Sequence, residues 1–111
     1  MNSREEIFKK DFSEAFIDKM NNAIEMSHYK YGWAKKTYPE LAQAYKCIAE
    51  RLEAYIKTHN KEYLIDVANI AMLEFLYPAF PDARYSPSDT DKSTGLAGGI
   101  SYKELMEGGE G

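Results

Sequence analysis

Three polar side chains, Glu62, Asp66 and Asn69, interrupt an apolar run between Lys61 and Phe80. Their spacing of i, i+4 and i+7 places them along one narrow stripe of a helix. The surrounding run is apolar on nearly every side, which is typical of a helix buried in the middle of a domain. A buried carboxylate must be paired, hydrogen-bonded or coordinated, because burying it alone is too costly. The stripe is therefore either a structural lock between helices or one wall of a site.

If the stripe is a lock, its partners follow from the neighbouring sequence. We then expect Asp66 to pair with Arg51 or Lys46 of the preceding helix. Asn69 would bond a backbone group of the Pro-rich tail. Glu62 would occupy the first helical turn, where the helix dipole favours an acid.

If the stripe is a site, a second set of carboxylates belongs to it. A Glu-x-x-Glu motif occurs at residues 50–53. Carboxylates at this spacing on two antiparallel helices hold hard divalent cations, which in turn bind triphosphates. The candidate ligands for Mg²⁺ are Glu50, Glu53, Glu62 and Asp66. Because Glu50 and Glu53 lie about 200° around their helix from its apolar stripe, they join the others only across an oligomer interface.

At these motifs, over roughly residues 28–76, the chain resembles the MazG-like all-α nucleotide pyrophosphohydrolases. The resemblance implies Mg²⁺-dependent cleavage of nucleoside triphosphates to monophosphates. Where the family has a Glu-x-x-Asp motif, this chain has Asp66 and Asn69, or Glu62 and Asp66 at a different spacing, so the motif is degraded. The order of elements, starting from a Lys-Tyr-Gly-Trp segment, also resembles small phage and prophage proteins related to that group.

Residues 28–38, HYKYGWAKKTY, alternate aromatic side chains with lysines. Aromatic stacking on bases with lysines on phosphates is a way to hold nucleotides, and Trp and Tyr are also the anchors that dominate protein interfaces. A third interpretation is an aromatic plug that closes the end of the helical core. The candidate binding residues are Tyr29, Lys30, Tyr31, Trp33, Lys35, Lys36 and, on the apolar helix, Asn69.

Two further features are predicted to carry no chemistry. The Gly-rich segment 93–101 precedes a capping pattern but lacks the ending of a P-loop, which favours a flexible arm. Cys47 lies mid-helix beside an apolar stripe and is interpreted as a small packed residue.

Three helices must position these residues. Helix A is predicted to start at the capping box of Ser3 and to run to about Met26 or Ser27. Helix B is predicted to begin near residues 37–40, with Thr37 as cap, and to end by residues 58–60. The predicted core stripe of helix B is Leu41, Tyr45, Ile48, Leu52 and Tyr55.

Helix C, which carries the polar stripe, follows helix B after a short turn, so the two should form an antiparallel hairpin. Residues 1–80 are the predicted helical domain. Residues 81–111 are predicted to be an irregular tail with one short helix at 101–106, and Tyr77, Phe80 and Tyr85 are predicted to pin its early part to the helices.

Composition narrows the function classes. The net charge of −4 gives no basic face for general nucleic-acid binding. A single cysteine excludes an intramolecular disulfide. No apolar run is long enough for a membrane span, and the charged N-terminus does not resemble a signal peptide, so we expect no membrane association and a cytoplasmic location.

The sequence thus predicts an all-α protein with a three-helix core and an antiparallel B/C hairpin. Three helices leave many apolar positions uncovered, which favours a homo-oligomer. The predicted function is non-enzymatic interaction or ligand binding, by a phage or prophage accessory protein that inhibits or sequesters a host factor in the host cytoplasm. A protein partner is the first expectation and a nucleotide the second, without a cofactor. The alternative is a Mg²⁺-dependent nucleotide pyrophosphohydrolase.

Overall fold

The structure, a computed structural model, describes residues 3–87. Within them lie four α-helices, α1 (Arg4–Asp11), α2 (Glu14–Tyr31), α3 (Ala44–Thr58) and α4 (Glu62–Leu76), and one turn of 3-10 helix at Ala34–Lys36. These residues contain no strand, so the predicted all-α class is confirmed. The predicted arm at 93–101 and helix at 101–106 lie outside the described residues.

The prediction of one continuous helix A is wrong, because Ser13 begins a second helix. Ser3 caps α1 as predicted, its Oγ accepting a hydrogen bond from the Glu6 amide at 3.2 Å. Ser13 Oγ accepts from the amide of Phe16 at 3.0 Å. The backbone is extended at residues 12 and 13, since a serine that caps a helix holds its own backbone outside it.

The second helix is also longer than predicted. It passes Met26 and Ser27 and ends only at Tyr31, where Gly32 follows with a φ of 80°. This left-handed backbone suits glycine, and the Gly32 amide closes the helix by donating to the His28 carbonyl at 2.8 Å. The first half of the aromatic and lysine segment is therefore helical.

Helix B begins later than predicted, at Ala44. Residues 37–41 form a turn in which the amides of Leu41 and Ala42 donate to the Thr37 carbonyl. Pro39 explains the delay: its ring disfavours helical backbone at Tyr38, the residue before it. Thr37 thus anchors a turn through its carbonyl instead of capping a helix.

The hairpin of α3 and α4 is present as predicted. α3 ends at Thr58 because His59 adopts a left-handed conformation, with its amide donating to the Tyr55 carbonyl at 2.7 Å. Asn60 Oδ1 then accepts from the amide of Glu62 at 3.0 Å and opens α4. Three residues separate the helices, so α4 folds back along α3, its main contact, and α2 packs on α4.

The face of α3 that packs on α4 differs from the predicted core stripe. Leu41 is 81 % exposed, and Tyr45 and Leu52 are also exposed. The packed face of α3 instead holds Ala44, which is buried, and side chains of intermediate exposure: Cys47, Ile48, Arg51, Ala54 and Tyr55. The prediction is wrong for three of its five residues because α3 carries apolar residues on two faces.

Only some of the residues after Leu76 pack against the helices. α4 stops there because Pro78 disfavours helical backbone at the residue before it. A Glu74 carboxylate oxygen accepts the Ala79 amide at 2.9 Å, and the Phe80 ring lies 5.1 Å from that of Tyr45. Phe80 therefore docks as predicted, whereas Tyr85 is 81 % exposed and does not.

Within the described range, none of the helices has the length and apolar character needed to cross a membrane.

Candidate functional site

A wide, open groove of about 1680 Å³ runs between α2 and α4. Residues along the whole of α2 and the following loop form one wall. α4 forms the other wall through Ile65, Ile70, Leu73 and Leu76 among others. One hydrogen bond, described below, joins the two helices across the groove. We call this space the α2–α4 groove.

Asn69 makes the contact that holds the two walls together. Its side-chain Nδ2 donates to the Met20 carbonyl of α2 at 3.0 Å, and the residue is only 6 % exposed. The prediction that Asn69 bonds a backbone group of the Pro-rich tail is therefore wrong, because its amide donates to a carbonyl of α2 instead. The other atom of the amide, Oδ1, is buried without a donor among residues 3–87, although buried polar atoms normally have partners.

All three members of the polar stripe line the groove. Asp66 pairs with Arg51 of α3 at 3.6 Å, one of the two partners predicted for it. Glu62 is exposed and is the first residue of α4. The stripe therefore acts as a lock through Asn69 and Asp66, and it also forms part of the groove wall. The structural lock and the site wall, the two interpretations offered by the sequence, are therefore formed by the same residues.

The aromatic segment forms the rim of the groove rather than a plug. Tyr29, Tyr31 and Trp33 are 73 %, 77 % and 63 % exposed, and all three border the groove. The indole of Trp33 rests against the His28 ring, with centroids 4.4 Å apart. The plug interpretation is wrong because α2 extends to Tyr31 and carries these rings away from the helical core.

The lysines of the segment line the two cavities that Trp33 borders. Lys30 borders the α2–α4 groove. Lys35 and Lys36, on the 3-10 turn, line a second, smaller cavity of about 450 Å³ together with Trp33 and Tyr77. All three lysines are exposed. Trp33 thus stands between two concave surfaces, in the position of an anchor side chain.

The four carboxylates of the metal alternative are not gathered within one chain. The side chains of Glu50 and Glu53 are 72 % and 68 % exposed, and they approach Arg51 at 4.0 Å and Lys57 at 3.1 Å. Neither lines the groove that holds Glu62 and Asp66. Among residues 3–87, no three His, Cys, Asp or Glu side chains are placed to hold a metal ion.

Sequence reasoning did not select Tyr38 or Arg51 as groove residues, yet both line it. Burial raises the pKa of the Tyr38 hydroxyl above its ordinary value, the neighbouring Cys47 raises it further, and Arg51 opposes the shift. The available signals were Tyr38's place at the end of the aromatic segment 28–38 and Arg51's predicted pairing with Asp66, and neither indicates that the two residues border one groove.

The raised pKa of Tyr38 predicts an alkaline loss of stability. The unfolded chain ionises its tyrosines near pH 10, whereas the folded protein holds Tyr38 neutral. The stabilisation is therefore complete below about pH 10 and is lost as the pH rises through the folded pKa. Urea midpoints measured across this range should fall more steeply for the wild type than for Tyr38→Phe. Parallel profiles would contradict the prediction, since all other titrating groups are common to both proteins.

Comparison with known proteins found no relative: no protein-family model, curated protein or solved structure matches this chain.

Proposed function

We propose that the protein is a non-enzymatic binding protein that holds a helical segment of a partner protein in the α2–α4 groove. The observation that carries the proposal is an open, largely apolar groove whose rim presents three exposed aromatic side chains. Tyr and Trp are the most frequent anchors of protein interfaces because they combine a large apolar area with a polar tip.

The size of the groove supports a polypeptide occupant. Small-molecule pockets usually measure about 300–1,000 Å³ and enclose their ligand, whereas this groove measures about 1680 Å³ and is open along its length. An α-helix with side chains is about 10–12 Å across. Three turns of it therefore fill roughly 1,300–1,800 Å³.

The polar groups of the groove add a requirement on the partner. Asn69 Oδ1 is an acceptor without a donor among the described residues. The atom has almost no exposed surface, so a donor from the partner reaches it only when the α2–α4 contact opens. Leaving a buried acceptor without a donor costs about 1–3 kcal/mol. The partners that fit these features are amphipathic helices with apolar residues along one face and one hydrogen-bond donor, such as Ser, Thr or Lys, within that face.

Trp33→Ala should weaken partner binding by about 30-fold or more, because anchor residues of this type contribute about 2 kcal/mol or more. Helical peptides selected from a random library against the purified protein supply the probes, and calorimetry measures their affinities. Phe75→Ala is the matched control, since Phe75 is 73 % exposed and lies outside the groove. Selected peptides that bind the Trp33→Ala and wild-type proteins equally would contradict the proposal.

The finer predictions from the sequence remain predictions. Two of them are that the partner is a host factor and that a phage or prophage encodes the protein. The third is the alternative function, in which the protein binds Mg²⁺ and a nucleoside triphosphate rather than a protein partner. A thermal-shift panel of nucleotides separates the last of these, because any ligand of the folded state raises the midpoint. A rise that needs both triphosphate and Mg²⁺ would favour the pyrophosphohydrolase alternative.

A further inference from the structure

The outer face of α3 carries an apolar stripe that is exposed. Tyr45, Ala49, Leu52 and Ile56 are all exposed, Ile56 by 69 %. Their spacing of i, i+4, i+7 and i+11 is that of the a and d positions of a heptad repeat, the seam along which helices pair in coiled coils. At 3.6 residues per turn, this seam lies about 130° around α3 from Arg51, which faces α4.

We propose that this seam binds the same seam of a second copy of the chain, with the two α3 helices antiparallel about a two-fold axis near residues 50 and 51. Two-fold symmetry makes such an interface self-complementary. It sets Ala49 of one copy opposite Leu52 of the other, and Tyr45 opposite Ile56. A parallel pair would set Ala49 against Ala49 and leave a void, which costs packing energy.

Charge along the edge of the seam selects the same orientation. Lys46 and Glu53 lie seven residues apart on one flank of the seam, and both are exposed. In the antiparallel pair, Lys46 of each copy faces Glu53 of the other, giving two opposite-charge contacts. In a parallel pair this flank of each copy would lie on opposite sides of the interface, so neither opposite-charge contact could form.

Side chains at one end of the seam enlarge the contact. Leu41 is 81 % exposed, and Phe80, whose ring packs at a tilt against that of Tyr45, is 51 % exposed. Symmetry places them at both ends of the paired helices. Six side chains from each copy, each burying on the order of 80 Å², supply about the 1,000 Å² that a specific interface requires. The seam residues do not line the α2–α4 groove, so the dimer leaves that groove open.

Sedimentation of the full chain across protein concentrations tests the dimer. The wild type should sediment as a dimer at high concentration and dissociate on dilution. Ile56→Glu should shift dissociation to at least tenfold higher concentration without unfolding the protein, because Ile56 is already exposed. Phe75→Glu, an equally exposed apolar position outside the seam, should leave the dimer unchanged.

A charge-swap series tests the orientation. Lys46→Glu alone and Glu53→Lys alone each place like charges across the seam and should weaken the dimer several-fold. The double swap of the two residues restores opposite charges and should recover the wild-type dissociation constant. A wild type that remains monomeric at every concentration, a dimer indifferent to Ile56→Glu, or a double swap weaker than both single variants would overturn the proposal. Far-UV circular dichroism confirms that each variant is folded.

Discussion

Replacing Asn69 with aspartate should lower the free energy of unfolding by about 3 kcal/mol or more, the cost of a buried charge without a partner. The residue is 6 % exposed, and its amide donates to the Met20 carbonyl. A carboxylate there has no proton to donate and faces the carbonyl oxygen instead. The variant must therefore protonate the new side chain or separate α2 from α4.

Two companion substitutions divide the role of Asn69 into its parts. Asn69→Ala removes the hydrogen bond and leaves a small void, so we expect a loss of about 1–2 kcal/mol. Asn69→Leu removes the donor and the unpartnered acceptor together and keeps the volume, so its loss should be about 1 kcal/mol or less. Urea denaturation followed by circular dichroism measures all three. Asn21→Asp, the same chemical change at an exposed position of α2, is the control and should change little.

The order of these variants decides what Asn69 does. Aspartate tolerated as well as leucine would contradict the buried contact, because it would mean that water reaches the side chain. If the order holds, Asn69→Leu is a folded protein without the buried acceptor Oδ1. Partner peptides that need this acceptor should bind it more weakly, whereas peptides held only by Trp33 should not. The structural and binding roles of one side chain are thereby measured separately.

Local signals predicted the helices well where one residue type determines the backbone. The Ser3 cap and the short turn before α4 follow from side chains that bond the nearby backbone. At the end of α3, Thr58 Oγ1 accepts from the Asn60 amide beside the left-handed His59. The Asp66–Arg51 pair was also predictable, because a carboxylate on an apolar helix requires a partner and the hairpin offers few.

Other features depend on which apolar face is used, and periodicity alone does not decide that. α3 has one apolar face around Ala44 and another around Leu52, and the predicted core stripe took residues from both. The structure packs the first face on α4: Ala44 is 1 % exposed, and Arg51 on the same face pairs with Asp66 of α4. The break at Ser13 was missed for a similar reason: the apolar spacing continues through it although the backbone does not.

The groove could not be predicted as a site because it arises between elements far apart in sequence. Its closing contact joins Met20 and Asn69, which are 49 residues apart. The residues of both walls were named in advance, as an aromatic segment and a polar stripe, but nothing in either pattern indicates that they border the same space. Only the position of α2 against α4 brings them together.

Ile65→Ala should lower the free energy of unfolding by about 2–4 kcal/mol, the usual cost of truncating a buried aliphatic side chain. Ile65 is 7 % exposed, and besides Ala44 it is the one apolar residue that is buried within residues 3–87. It stands one turn before Asn69 on α4, the helix that contacts both α3 and α2. The free energy of unfolding of a small domain is about 5–15 kcal/mol, so this one substitution should remove a large part of the protein's stability.

Ile65→Ala also tests whether the core around this residue is fully packed in the free protein or is completed only when a partner binds. Ile65→Val removes one methylene and should cost about 1 kcal/mol, and Ile7→Ala on α1, where the side chain is 44 % exposed, should cost less than Ile65→Ala. Urea midpoints measure each. A loss below about 1 kcal/mol for Ile65→Ala would contradict a packed contact at the centre of α4. Since Ile65 also lines the groove, a larger loss in the presence of a bound peptide than in its absence would show that the partner packs against this side chain and completes the core around it.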